Sequence, residues 1–222
     1  MEPLIRMLSY HPNGTRKFYV YDKDHYEPKN NVRQLFDPQY CGMNKALAAE
    51  ERYKSICDIT GIPEYVKRRE FGGMISNVYD SYNDGAVLII LAVDNERTRH
   101  EVIKDLDELN PRIDFACVLP GNEYNTASCV WYNRVKGMLK PIHPFEVVTN
   151  FAVPTDQHPG SCGYEAVSSP QLINANFASA LITCEVVYAL LEDKNLPFRV
   201  NYSSTELNMY TEGRFLPVQA LI

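Results

Sequence analysis

Apolar and polar residues change rhythm along this chain in a way that alternates strands with helices. Leu4, Ile5 and Leu8 fall at helical spacing, and the His-Pro-Asn-Gly turn at 11–14 closes that first helix. Phe18 to Tyr21 then form a short apolar strand that stops at Asp22, followed by a polar loop. From Gly42 to about Asp58 strong helix formers predominate, with Met43, Ala46, Leu47 and Ile56 available for one face. Residues 86–94, AVLIILAVD, are an unbroken apolar run after the Asp84-Gly85 turn, as in a strand covered on both faces of a parallel sheet, and this strand too ends in an aspartate. Val102, Ile103, Leu106 and Leu109 stripe the helix that follows, which stops at Asn110-Pro111.

Beyond it, residues 113–119 and 127–135 read as two more strands joined across the PGNEYN turn at 120–125, a candidate antiparallel extension of the sheet. A loop rich in Pro and Gly at 154–170 leads to a long apolar helix from Gln171 to about Glu192, and two short segments close the chain. The expected architecture is α/β: a Rossmann-like, mostly parallel sheet flanked by helices, with the antiparallel extension and the long apolar C-terminal helix. That helix carries Asn174, Asn176 and Glu185 and never reaches 18 uncharged apolar residues in a row, so it reads as a buried helix rather than a membrane span.

Composition narrows the function classes. With 222 residues, 45% apolar and 23% charged, the chain suits one domain over 1–222, able to bury roughly 70% of its unfolded surface. The formal charge of -6 and the absence of a Lys/Arg run remove the basic footprint that nucleic-acid binding requires. The cysteines at 41, 57, 117, 129, 162 and 184 include no C-x-x-C pair, so a structural zinc is not expected and free thiols in a cytoplasmic setting are. Five histidines are scattered without metal-ligand spacing; His25 lies in the loop after Asp22.

The candidate chemistry starts with Asp22 and Asp94. Open parallel sheets bind ligands outside the carboxyl ends of their strands, and an acid there can hydrogen-bond a ribose or hold Mg²⁺ against phosphate oxygens. By position alone each could equally cap the helix or turn after it. The wider pattern adds information: Asp22-x-Asp24, then Asn30, Arg33-Gln34, then Gly42-x-x-Lys45, and fifty residues on Asp94-Asn95 with Arg99. These residues, in this order, resemble the ThiF/MoeB and ubiquitin-activating-enzyme superfamily, whose pattern is D-x-D, N-x-x-R-Q, G-x-x-K and a later D-N-x-x-x-R helix entry. Weaker likeness continues through Gly121-Asn122 and along SCGYEAVSSPQLINANFASA.

The resemblance implies an adenylyltransferase that uses ATP and Mg²⁺ to activate the C-terminal carboxylate of a ubiquitin-like or sulfur-carrier protein. By the matching positions Asp22 would hold the ribose, Arg33 and Lys45 the phosphates, and Asp94 the Mg²⁺; Asp24 would be a further cofactor-binding residue, and Asn30 and Gln34 would orient nucleotide or substrate or merely shape the loop. Some relatives pass the acyl group to a cysteine. Cys162, among small neighbours and four residues from His158, is the candidate here, with packing at the entrance to the last helix as the alternative. The family's first strand and G-x-G-G-x-G turn have no counterpart before Gly14, so the match begins one strand late. An upstream start, a shortened relative and a strand supplied by another chain all remain open. A second expectation follows: a catalytically incomplete, ThiF-like scaffold subunit of a heterodimeric activating enzyme. Either way the apolar helix at 171–192 points to a homodimer or to pairing with a related chain, without nucleic acid or membrane as partner.

Overall fold

The computed structural model of the chain describes residues 2–15, 17–32, 37–66, 70–82, 85–122, 125–140, 143–147, 173–197, 199–203 and 208–212. The chain divides into two compact units, Met1–Lys67 and Arg68–Ile222.

In the first unit, helix α1 (Glu2–Tyr10) precedes strand β1 (Lys17–Tyr21), two short 3₁₀ turns (Pro28–Val32 and Pro38–Tyr40), helix α2 (Lys45–Tyr53) and strand β2 (Asp58–Ile62). The strands run parallel, with Lys17 opposite Asp58 and Tyr21 opposite Ile62. Ile5, Ala49, Tyr53 and Ile59 form the core, with Phe18, Val20, Ile56 and Cys57 packed against it. Glu2 fastens α1 to α2 by accepting from Arg6 Nε at 3.0 Å and Arg52 Nη2 at 2.7 Å. The Arg6 hydrogen bond leads the effects that hold the Glu2 carboxyl below its ordinary range.

The helix expected over 42–58 is shorter than its composition implies. Asn44 caps its start, and after Tyr53 the chain turns, with Ile56 N and Cys57 N both donating to Tyr53 O, so that Asp58 enters β2. β2 is not among the expected elements: it is five residues long and directly follows a helix-forming run. Gly61 is what lets α2 lie on it, because a Cβ there would stand 2.3 Å from Ala46 O. Gly61 N also donates to Glu50 Oε2 at 2.7 Å.

The second unit contains α3 (Phe71–Tyr82), β3 (Val87–Ile90), α4 (Glu96–Asp107), β4 (Phe115–Asn122), β5 (Thr126–Val135), β6 (Met138–Lys140), α5 (Pro144–Val147), α6 (Ile173–Leu191), β7 (Arg199–Ser203) and β8 (Asn208–Glu212). Its sheet has the order β3-β4-β5-β7-β8, with β6 also on β5. β3 and β4 are parallel, and the expected antiparallel pairing of β4 with β5 runs on through β6, β7 and β8. The α/β class holds, with a parallel sheet in one unit and a mixed sheet in the other.

Burial on both faces explains the near-continuous apolar runs of β4 and β5. Alternation places Phe115, Cys117, Tyr132 and Arg134 on one face, where Phe115 meets Tyr132 edge-on at 5.5 Å. The buried Arg134 guanidinium donates to Leu109 O (3.1 Å), Asn110 O (3.0 Å) and Ile113 O (3.3 Å), closing the C-terminal end of α4. Cys129 and Trp131 share the opposite face, with Trp131 Nε1 donating to Pro197 O at 2.7 Å. There α6 packs on β4, β5 and β7, burying Ala175, Ala178, Ile182, Val186, Val187 and Leu190 while Phe177, Leu181 and Tyr188 stay exposed. By length and composition alone α6 would also be sufficient to cross a membrane.

The tight seat of Gly61 yields a stability prediction. Gly61→Ala forces α2 off β2 and lowers unfolding free energy by about 2 kcal/mol, read from urea titration; a variant as stable as the parent would show that the two backbones are not in close contact.

Candidate functional site

Strand β1 ends at Tyr21, and Asp22 N makes the last ladder bond to Ile62 O at 3.2 Å. The chain must then leave the sheet with its carbonyls still to satisfy. Asn44 does this. Its Nδ2 donates to Asp22 O at 2.8 Å and to Asp24 O at 3.1 Å, while its Oδ1 accepts from Ala46 N and Leu47 N at the start of α2. One buried amide thereby joins the exit of β1 to the entrance of α2. The backbone adds Lys45 N to Asp24 O at 2.8 Å and a bridge between His25 and Asn44.

On this frame Asp24, Asp22 and Lys45 stand together. Asp22 Oδ1 accepts from Asp24 N at 2.8 Å, an Asx turn that aims the loop. The Asp24 carboxylate takes Lys45 Nζ at 3.3 Å on one oxygen and the Tyr65 hydroxyl at 3.3 Å on the other. Lys23 Nζ lies 5.3 Å over the Tyr65 ring. Gly42 sits at φ +83, the left-handed turn that returns the chain, and its N donates to Tyr26 O at 2.8 Å. Burial pushes the Tyr26 phenol above its ordinary value, Arg52 opposing and Asp22 adding to the rise. Asn30 is buried, and its Oδ1 accepts from Glu27 N at 2.9 Å, so it shapes the loop.

In the second unit Asp94 follows β3. The strand expected over 86–94 stops at Ile90, because Leu91 N makes its last bond to Val118 O and the Val93 carbonyl is taken by Arg99. Asn95 caps α4 by accepting from Thr98 N at 3.1 Å. Asp94 is exposed and its carboxylate has no partner among the described residues. A free hard oxygen donor fits Mg²⁺, which takes one or two protein carboxylates and fills the rest of its octahedron with water and phosphate oxygens. Among the described residues no group of three or more His, Cys, Asp or Glu is set to hold a metal by itself.

The remaining expected residues divide simply. Arg33, Gln34, Cys162 and His158 lie outside the described residues. Cys117 and Cys129 are fully buried, and burial raises both thiols, Cys129 to about 12, which makes them inert. Cys41 is exposed. Sequence reading missed Asn44 and Tyr65. Asn44 was discoverable, since an Asn directly before K-A-L-A-A is an N-cap signature; Tyr65 carried no signal.

The pattern of the ThiF family matches residues 5–210, and the chain belongs to that family. No curated protein matches the sequence. Among solved structures, the fold is similar to E. coli MccB with MccA-N7isoASN, at 14% identity and TM-score 0.58 over 98% of this chain and 61% of that one. MccB with AMPCPP and selenomethionine MccA gives 13% identity and TM-score 0.60, over 98% of this chain and 67% of that one. PaaA gives 14% identity and TM-score 0.54, over 94% and 59%. The chain thus spans about three fifths of the length of these proteins, and at such identities the likeness is one of fold.

The joint made by Asn44 can be tested in parts. Asn44→Ala removes cap and bridge and lowers stability by about 2–3 kcal/mol, whereas Asn44→Ser keeps a cap and recovers about 1 kcal/mol of that loss, both read by urea unfolding. A serine variant equal to the parent would mean that the bonds to Asp22 O and Asp24 O contribute nothing.

Proposed function

We propose that this chain is an adenylyltransferase of the ThiF type that activates the C-terminal carboxylate of a peptide, ubiquitin-like or sulfur-carrier protein. A carboxylate oxygen of the partner forms a bond to the α-phosphorus of ATP, the bond from that phosphorus to the bridging oxygen breaks, and pyrophosphate leaves. The observation that carries the reading is the Asp22–Asp24–Lys45 assembly at the carboxyl end of β1, in a chain of this family. An exposed pair such as Lys45–Asp24 contributes only about 0–1 kcal/mol to folding. Fold stability is therefore a poor reason for a lysine to be held there, and a ligand is a better one.

In this reading Asp22 receives the ribose hydroxyls, Asp24 holds Lys45 for the phosphates, and Arg33 would bind phosphate as well. Asn30 shapes its loop by accepting from Glu27 N, and Gln34 would orient nucleotide or substrate. Asp94 would hold Mg²⁺, which supplies charge neutralisation on the phosphate oxygens as the pyrophosphate departs. Cys162 would receive the acyl group where a thioester is made. MccB solved with AMPCPP and MccA supports a nucleotide and a peptide as ligands of this fold. A homodimer or a pairing with a related chain completes the proposal, supported by the exposed Phe177, Leu181 and Tyr188 on α6.

Titration of the purified chain with Mg²⁺ and a fluorescent N-methylanthraniloyl ATP decides the matter. Binding is expected, weakened about tenfold or more in Asp22→Ala and in Lys45→Ala, as when one charge-assisted contact is lost. A chain that binds no nucleotide yet pairs with a related protein would transfer the conclusion to the scaffold role. Sedimentation equilibrium at micromolar concentration is expected to show a dimer that Leu181→Glu dissociates; a folded monomer in the parent chain would remove the pairing.

A further inference from the structure

The loop that carries Asp94 is fixed by a side chain to which the proposed reaction assigns no part. Arg99, in the first turn of α4, is buried, 9% exposed. Its Nε donates to Val93 O at 3.0 Å and its Nη2 to the same oxygen at 2.6 Å; Nη2 also donates to Pro120 O at 2.6 Å. Val93 O is the carbonyl of the peptide bond that leads into Asp94, and Pro120 stands near the carboxyl end of β4, the parallel neighbour of β3. The guanidinium therefore spans the two carboxyl strand ends at the edge where open sheets place their ligands.

We propose that Arg99 is a positioning residue for Asp94: it fixes the peptide before the carboxylate and holds that loop to Pro120. This rests on the reading of Asp94 as the Mg²⁺ ligand. Three features favour it. Leu91 N is the last ladder donor before the loop leaves the sheet, so Ala92 to Asp94 depend on other bonds to keep their place. Asn95 fixes the far side of the loop through its cap on Thr98 N, leaving the Val93 carbonyl as the near anchor. The planar fork of an arginine can hold one oxygen with two donors while a third bond reaches a second strand, a geometry that a lysine ammonium cannot reproduce. On the far strand Asn122 is tied in turn, its Nδ2 donating to Asn176 Oδ1 on α6, so Arg99 draws the Asp94 loop against a supported edge.

The test uses the full chain in three forms, Arg99→Lys, Arg99→Met and Asp94→Asn, with two measurements. The first is the Mg²⁺ concentration that half-saturates the rise in N-methylanthraniloyl ATP binding. The second is amide hydrogen exchange over 91–95 and 119–122, which needs no nucleotide. Arg99→Lys is expected to raise half-saturating Mg²⁺ about tenfold and to speed exchange in both segments by a similar factor, the loss of one charge-assisted bond. Nucleotide affinity in EDTA should not change. Arg99→Met should do more; if it does not fold, the lysine variant carries the test. Asp94→Asn should abolish the Mg²⁺ dependence and leave exchange at 119–122 as in the parent. Unchanged exchange in both segments of Arg99→Lys overturns the inference, as does a lowered melting temperature with the same half-saturating Mg²⁺, which is the signature of a purely structural arginine. If Asp94→Asn keeps the parent's Mg²⁺ dependence, the assignment of the metal to Asp94 fails. In that case faster exchange in Arg99→Lys would still show the clamp, but with no metal ligand to position.

Discussion

The first unit depends on a constraint that acts wherever a strand ends and the chain leaves its sheet. When the chain leaves the sheet its carbonyls lose their partners, and something other than the ladder must satisfy them. Asn44 is that partner, and because an amide carries donor and acceptor on one planar head it does two tasks at once. Its Nδ2 holds Asp22 O and Asp24 O, and its Oδ1 closes the N-terminus of α2. Aspartate could cap the helix but could not donate; lysine could donate but could not cap. The positions of Asp24 and of Lys45, the residue after the cap, follow from that choice.

The second unit meets the same constraint with a guanidinium. Arg99 satisfies Val93 O and Pro120 O, and Arg134 does the same at the other end of α4 with four main-chain carbonyls, those of Leu106, Leu109, Asn110 and Ile113. In both cases a charged group is buried against oxygens rather than left to solvent, and burial lowers the Arg134 pKa from its ordinary value. Buried cations of this kind are weak contributors to net stability but strict about geometry, since they are satisfied in only one arrangement of the carbonyls around them. Loops that must hold a carboxylate in one place are well served by such a fastening.

How far the sequence could be read follows from the same physics. The long apolar runs of β4, β5 and α6 were legible because burial on several faces leaves a continuous signal; the antiparallel pairing of β4 with β5 was legible too, although Pro120, Gly121 and Asn122, expected in the turn, are paired with Cys129, Ser128 and Ala127 and extend β4. β2 was not, since five residues with Gly61 among them carry too little periodicity, and what makes them a strand is the parallel partner β1 and the close seat of α2. The same reason moved the end of β3: its apolar run continues to Val93, but the Val93 carbonyl is claimed by a residue six positions on. Asp22, Asp24 and Lys45 were legible as a pattern because their spacing resembles the one expected of the ThiF family. Their juxtaposition needed the fold, which closes a gap of 21 residues between Asp24 and Lys45 to 3.3 Å.

An anionic nucleotide is drawn to a site only by local positive potential, and here Lys45 is already matched by Asp24, with Asp22 one charge beyond. The chain as a whole carries -6. Asp22, Asp24 and Lys45 taken together would therefore repel a free triphosphate at long range, and under the proposed function their value would lie in orientation: ribose hydroxyls would donate to the carboxylates, and a lysine held by one of those carboxylates would donate only along the direction left open. On that reading attraction would come from elsewhere, from a divalent cation travelling with the phosphates and from further cations. On the proposed reading such a site would favour the metal complex of the nucleotide over the free anion, because the net negative charge left by Asp22 opposes the phosphates less once a divalent cation neutralises part of their charge.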